Sequence, residues 1–245
     1  MIFYSNNHCF TYNVSTFFFI FMKITSLRIF FIFLVLLSTM NSTSITLAAD
    51  DANVWFTLTK SEIHRIKVGH TFGWVKSPDV LIVEYSDPEC PYCQRQYNNN
   101  IIAQLVANNS PAKTFWYIHK PVLGVNHQNT IQKSYALICA GKIGWYDAFS
   151  ELEWFLFLDT TVSLDTAINL AQIDKTKIGQ CVSSRWTKLQ FRKNNVEFER
   201  ISNKAWAWMG TPTTLMINMQ TGKSKLVLGA FPLSYFQDTL SSIIE

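Results

Sequence analysis

Cys90 and Cys93, separated only by Pro91 and Tyr92, are the residues of this chain whose types and spacing first suggest chemistry. Thiols at that spacing hold a soft metal, sit inert in a core, or form and break a disulfide. A zinc or copper centre wants further soft ligands, usually a second such pair or histidines at short spacing. None follows: Cys139 and Cys181 stand alone, and His119 and His127 are not in ligand pairs. An inert pair fits poorly with a strand-to-helix turn, which exposes its residues. A redox pair fits the position. Asp87-Pro88 ends an apolar run, and Pro91 suits a first helical turn, where its missing N–H costs nothing. Cys90 then sits at a helix N-terminus, whose free N–H groups and dipole favour a thiolate. Cys93 lies deeper and acts second. Stabilising the Cys90 thiolate stabilises the reduced form and makes the disulfide more oxidising.

Two further features converge on this turn. Glu84 interrupts the apolar run VLIVEYS six residues before Cys90, where a buried carboxylate is costly. Either it points to the edge of the sheet, or it is a proton acceptor beneath the disulfide with its pKa raised by desolvation. Pro212 follows Gly210-Thr211 and opens the run TTLMIN. Proline is tolerated at the first residue of a strand, and a cis Thr211–Pro212 bond there makes a tight turn; the alternative is an ordinary trans loop proline.

The elements that must position these residues read as follows. Residues 60–66 suit a short helix and 66–75 an edge segment. The run 79–87 reads as a central buried strand. A helix over 93–107 carries Ile101, Ile102, Leu105 and Val106 at helical spacing, and Asn108-Asn109-Ser110-Pro111 stops it. A second strand covers 113–122, so 79–122 forms a strand–helix–strand unit with parallel pairing and a right-handed crossover. Helices are expected at 127–141, 145–158, 163–172, 175–183 and 185–207, with Gly141 and Gly144 separating the first two and Ser163 and Asp174 as N-caps. Trp145, Phe149, Trp154, Phe155 and Phe157 read as a core stripe. Strands at 213–218 and 224–229 form a hairpin, and a helix over 233–244 closes the chain. The layout is βαβ, a helical block, then ββα.

The N-terminus reads as a secretory signal. Lys23 and Arg28 form the basic region, Ile29–Leu37 is a nine-residue apolar run, and the cut falls after Ala49, with translation starting best at Met22. An uncleaved anchor using Phe17–Leu37 is the alternative, made expensive by Lys23 and Arg28 inside that span. Residues 1–49 hold those two cations and no acid, so their removal lowers the net charge from +4 to +2 and argues against a nucleic-acid partner. Removal of Cys9 leaves four cysteines, an even number for an oxidising compartment. There, Cys139 and Cys181 are expected to form a structural disulfide that ties the first helix of the block to a later one; free buried thiols are the alternative.

The ordered set of strand, buried acid, CPYC at a helix start and GTP before the next strand resembles the thioredoxin fold. VEYSDPECPYC and GTPTTLMI, together with the intervening helical block, are similar to the DsbA-like branch, the exported bacterial thiol:disulfide interchange proteins. The resemblance covers 66–244. It implies an α/β thioredoxin-like domain from 79–125 and 208–245, a lead-in at 50–78 and a helical insertion at 126–207. It implies Cys90 as nucleophile, Cys93 as its resolving partner, Glu84 as the buried acid, and Thr211 and Pro212, with Tyr92, along the substrate groove. The best-known oxidase pattern has His where Tyr92 stands, and Thr211 is more typical of isomerase and reductase relatives. Tyrosine brings no positive charge to the thiolate, which leaves the direction of exchange open.

The function expected is a periplasmic thiol:disulfide oxidoreductase, a monomer that exchanges its Cys90–Cys93 disulfide with exported proteins through a mixed disulfide. A membrane redox partner regenerates it, and no cofactor or metal is needed because the cysteines carry the electrons. The nearest alternative is an isomerase or reductase kept reduced by a membrane electron donor. A metal-binding or chaperone module is the third reading.

Overall fold

The run Val80–Ser86 is buried at all seven positions, which a strand achieves only when both of its faces are covered. The computed structural model describes residues 53–67, 70–72, 77–109, 113–124, 127, 129–158 and 161–244, all within one compact unit, Ala48–Glu245. The signal, its cut and the Phe17–Leu37 alternative lie outside the described residues. The strands are β1 (Asn53–Thr57), β2 (His70–Phe72), β3 (Val80–Ser86), β4 (Phe115–Pro121), β5 (Thr213–Asn218) and β6 (Lys223–Leu228). They form one sheet in the order β1-β6-β5-β3-β4-β2. Only β3 and β4 run parallel, and the other pairings are antiparallel.

Alternation along the strands divides the core between two faces. Val80 and Ile82 of β3, Met216 of β5 and Val227 of β6 pack with Phe236, Leu240 and Ile243 of α8 (Leu233–Ile244) and with Ile101 and Leu105 of α3 (Ile101–Asn109). Leu81, Val83, Tyr85, Leu215 and Leu226 face the other way, onto α1 (Lys60–Ile66) and α7 (Arg185–Ala205). The third cluster belongs to the helical block. There α4 (Thr130–Leu158), α5 (Leu164–Leu170) and α6 (Lys175–Ser183) pack with Cys93 of α2 (Pro91–Asn98) and with Cys90 just before it. Among the described residues no helix is long and apolar enough to cross a membrane.

Three expectations need correction. The helix expected over 93–107 is two helices, because Asn100 takes a left-handed φ of 50° that asparagine tolerates and that ends the α2 ladder. The two helices expected at 127–141 and 145–158 are one. Glycine costs a helix only about 1 kcal/mol against alanine. Burial of Leu137 and Ala140 before the glycines and of Phe149, Leu152 and Leu156 after them, in one cluster, outweighs that cost. The aromatic stripe is not uniformly core: Phe149 and Phe157 are buried, but Trp154 is 46% exposed. The side chain of Trp145 lies outside the described residues.

Local signals act as expected elsewhere. Ser163 and Asp174 accept hydrogen bonds from the first-turn N–H groups of α5 and α6, and Ser184 does the same for α7. In the β5–β6 turn Gly222 has φ 76°, and a Cβ there would lie 2.2 Å from the Leu58 carbonyl oxygen.

Candidate functional site

Both cysteines, Cys90 by its backbone and Cys93 by its sulfur, are held by the backbone of Asp87, the residue that follows β3. Its carbonyl accepts from Cys90 N–H at 3.0 Å, and its own N–H points at Cys93 Sγ at 3.4 Å. Its buried carboxylate accepts from Glu89 N–H, the Thr130 hydroxyl and Gly124 N–H, and pairs with His127. A Cβ on Gly124 would fall 2.4 Å from that carboxylate, so only glycine closes this knot. Glu89 reaches the start of α4, accepting from Asn129 N–H and pairing with Lys133. Sequence reasoning saw in Asp87 only a turn and in Glu89 nothing, because their partners lie in elements remote along the chain.

Cys90 is the N-cap of α2, with Pro91 at the first helical position. The turn was expected to expose both cysteines; instead Cys90 is 5% exposed and Cys93 not at all, because the helical block packs over them. Its Sγ donates to the Thr211 carbonyl at 3.1 Å, and the Thr211–Pro212 bond is cis. A hydrogen bond from Cys93 lowers the Cys90 pKa from 9.0 to about 6; burial opposes this, while Thr211 and the N–H groups of Cys93 and Tyr92 assist. Cys93 is fully buried, and desolvation, then the neighbouring Cys90, push its thiol well above 9. The two sulfurs therefore differ sharply in proton affinity at neutral pH.

Glu84 is 6% exposed and faces the thiols' side of the sheet, and its charge acts on Cys93. The Tyr117 hydroxyl donates to its Oε2 at 2.7 Å. Burial raises its pKa from the ordinary 4.5, against the pull of His119, Tyr117 and Gln96. His119 stands directly opposite Glu84 across the β3–β4 pairing, between Ser86 and Glu153 of α4. Tyr117 and Gln96 were not singled out from the sequence, and His119 was weighed there only as a metal ligand.

Outside the thiols, a cleft of about 740 Å³ is lined by Tyr92, Arg95, Trp208, Thr211, Pro212 and Phe231. Tyr92 is 56% exposed, and Arg95 lies over its ring and donates to the Ala230 carbonyl. Trp206 and Trp208, on the approach to Thr211, are 96% and 97% exposed, an unusual display of indole for a water-facing segment. Cys139 and Cys181 are bonded to each other, with Cα atoms 5.8 Å apart, and join α4 to α6. Cys90 and Cys93 are both free thiols.

No family model matches the chain, and no curated protein sequence matches it. Solved structures do. A periplasmic thioredoxin-like protein from Salmonella enterica serovar Typhimurium superposes with a TM-score of 0.57 at 14% identity, over 76% of this chain and 98% of that one. A thioredoxin-like oxidoreductase from Silicibacter pomeroyi DSS-3 gives 0.58 at 16% identity, over 76% and 97%. The thiol-disulfide exchange protein alpha-DsbA2 from Wolbachia pipientis gives 0.57 at 14% identity, over 74% and 94%. At such identities the likeness speaks to architecture. The chain has the thioredoxin-like fold, with an all-helical block set between its two sheet-forming halves.

Proposed function

We propose that the chain is a thiol:disulfide oxidoreductase that exchanges disulfides with exported proteins through a mixed disulfide on Cys90. The observation that supports this most is the asymmetry of the pair: one thiol, 5% exposed and hydrogen-bonded to Thr211 at the edge of the cleft, is pulled down to about 6, and the other, with no exposure, is pushed well above 9. In the oxidising direction a client thiolate attacks Cys90 Sγ of the disulfide. The Cys90–client bond forms, the Cys90–Cys93 bond breaks, and Cys93 leaves as a thiolate that takes a proton from Glu84. A second client thiolate attacks the client sulfur of the mixed disulfide, the client disulfide forms, and Cys90 leaves as its stabilised thiolate with the two electrons shared by the reduced pair. In the reducing direction the Cys90 thiolate attacks a client disulfide and one client sulfur leaves as a thiolate; Cys93 then gives its proton to Glu84 and attacks Cys90 Sγ, and the second client sulfur leaves as a thiolate. Thr211, Pro212 and Tyr92 line the surface against which the client segment lies.

The same reading assigns residues 1–49 to an export signal, 79–125 and 208–245 to the catalytic domain, and 126–207 to the insertion. It also implies a periplasmic location and a membrane redox partner that resets the pair. The described neighbour from Salmonella is periplasmic by name, which supports that location.

Trapping is the test. In the exporting cell, Cys93→Ala should accumulate client adducts on Cys90 that collapse with reductant, and Cys90→Ala should accumulate few. A Cys93→Ala chain that traps nothing, with a wild type that binds one metal ion through both cysteines, sinks the reading. The direction follows from the reduction potential. A Cys90 pKa of about 6 lies between those of thioredoxin and DsbA, so a potential between roughly −270 and −120 mV is expected in glutathione buffers.

A further inference from the structure

The catalytic face of the sheet holds one charge cluster that exchange chemistry with two cysteines and one acid does not require. His119 is 1% exposed. One ring nitrogen meets the Ser86 hydroxyl, the other the Glu153 carboxylate, and the rings of Phe149 and Phe157 stand edge-on at 5.4 and 6.0 Å, closing off water. Glu153 is itself buried and comes from α4, within the helical block. The groups facing the cluster are Glu84 and Ser86 from β3, Tyr117 from β4, Glu153 from α4, and Cys93, Gln96 and Tyr97 from α2; His70 of β2 is the register partner of His119 on its far side.

Two carboxyls and one imidazole, none more than 6% exposed, share this space, and Glu84 also lines a cavity of about 510 Å³ with Gln96, Tyr97 and Tyr117. Fully ionised, they would leave an uncompensated negative charge, which a buried site resists. The direct partner of His119 is Glu153, and Glu84 stands beside that pair. Burial pulls the imidazole down, but Glu153, with help from Glu84, outweighs it and holds His119 above its ordinary 6.5.

We propose that His119, held by Glu153, is a positioning residue that places a buried imidazolium beside Glu84 and so sets the pH at which Glu84 can exchange a proton with Cys93. The helical block thereby reaches the thiols' proton supply through one side chain, Glu153. This inference rests on the oxidoreductase reading for its consequence, but the coupling between His119 and Glu84 exists whether or not the pair turns over.

The coupling is reciprocal. In the full reduced chain, His119→Gln removes the cation, and the Glu84 carboxyl, followed by its infrared band, should titrate about one pH unit higher. The acid limb of the thiol-exchange rate should move up by the same amount. The Cys90 thiolate absorbance should keep its midpoint near 6. In Glu84→Gln the His119 imidazole, followed by NMR, should titrate lower by the same interval; this variant carries the test if His119→Gln does not fold. A uniform rate loss without a pH displacement, or an imidazole midpoint indifferent to Glu84→Gln, overturns the proposal. Failure of Cys93→Ala to trap clients strikes instead at the oxidoreductase reading and leaves the two titrations standing.

Discussion

Glu84 and Tyr85 are neighbours on β3, as His119 and Lys120 are on β4, and alternation sends the members of each couple to opposite faces of the sheet. Each face thus holds a buried polar cluster, and in both a tyrosine hydroxyl donates to a glutamate at 2.7 Å. On the face of α1 and α7, Lys120 pairs with Glu197, and Tyr85 donates to the same carboxylate. Lys120 and, at longer range, Arg200 act on that one anion, and Asn194 of the same helix donates to the Pro121 carbonyl beside them. On the thiols' face, two carboxyls share one imidazole. The cluster of Lys120 and Glu197 matches its anion with a buried cation and ties α7 to the sheet. The unbalanced one keeps a proton that burial makes easy to hold and a neighbouring cation makes possible to lose, which is what a thiol that must be deprotonated requires.

The comparison breaks most visibly if Glu197 is removed. Glu197→Ala leaves Lys120 buried without its anion, and denaturant unfolding should report a loss of about 3–5 kcal/mol. Exchange, measured where the variant is folded, should keep its pH profile. Replacing both partners by apolar residues of similar volume, Lys120→Met with Glu197→Leu, should recover most of that loss.

Glu84→Gln inverts the pattern. Thiol exchange near neutral pH should slow by about 10²-fold, the low end of general acid–base contributions. Its stability should behave oppositely to that of Glu197→Ala. Burial raises the folded pKa of Glu84 above 4.5, so its contribution is fully present below 4.5 and lost as pH rises through the folded value. Denaturation curves of wild type and Glu84→Gln should therefore diverge as pH rises from 4.5, in favour of the variant, and run parallel below it.

The tyrosines give the smallest and sharpest contrast. Tyr85→Phe should cost about 1–1.5 kcal/mol of stability with no effect on exchange. Tyr117→Phe withdraws a hydrogen bond that lowers the Glu84 pKa, so the acid limb of exchange should move upward by less than one pH unit. If the two substitutions act alike in both assays, the division of labour between the faces is wrong.

Much of the architecture was legible because its signals are local. The runs that became β3 and β5 are largely apolar, β6 follows the Gly222 turn, and Ser163 and Asp174 cap the helices they precede. What was not legible depends on partners brought from elsewhere. Asn53–Thr57 is a strand because β6 offers it an open edge. The glycines of α4 do not break it because apolar residues on both sides of them enter one cluster. At the site, Cys90, Cys93, Glu84 and Pro212 stand out by type and place in the chain. His119, Glu153 and Asp87 do not, since an ordinary histidine or acid becomes unusual only when folding buries it against another charge. The resemblance to exported thiol:disulfide interchange proteins likewise named the thiols and the acid and was silent on the charges around them.

The bond between Cys139 and Cys181 changes what kind of polymer the chain is once it unfolds. It short-circuits 42 residues of contour, so the oxidised chain is a lasso and not a line. At roughly 3.4 Å per extended residue, its end-to-end reach under tension falls short of the reduced chain's by about 140 Å. Pulled from its ends, a single molecule should stop at that shorter length and gain the hidden stretch only when reductant is added. In a denaturing gel without reductant, the looped coil should run ahead of the linear one for the same reason.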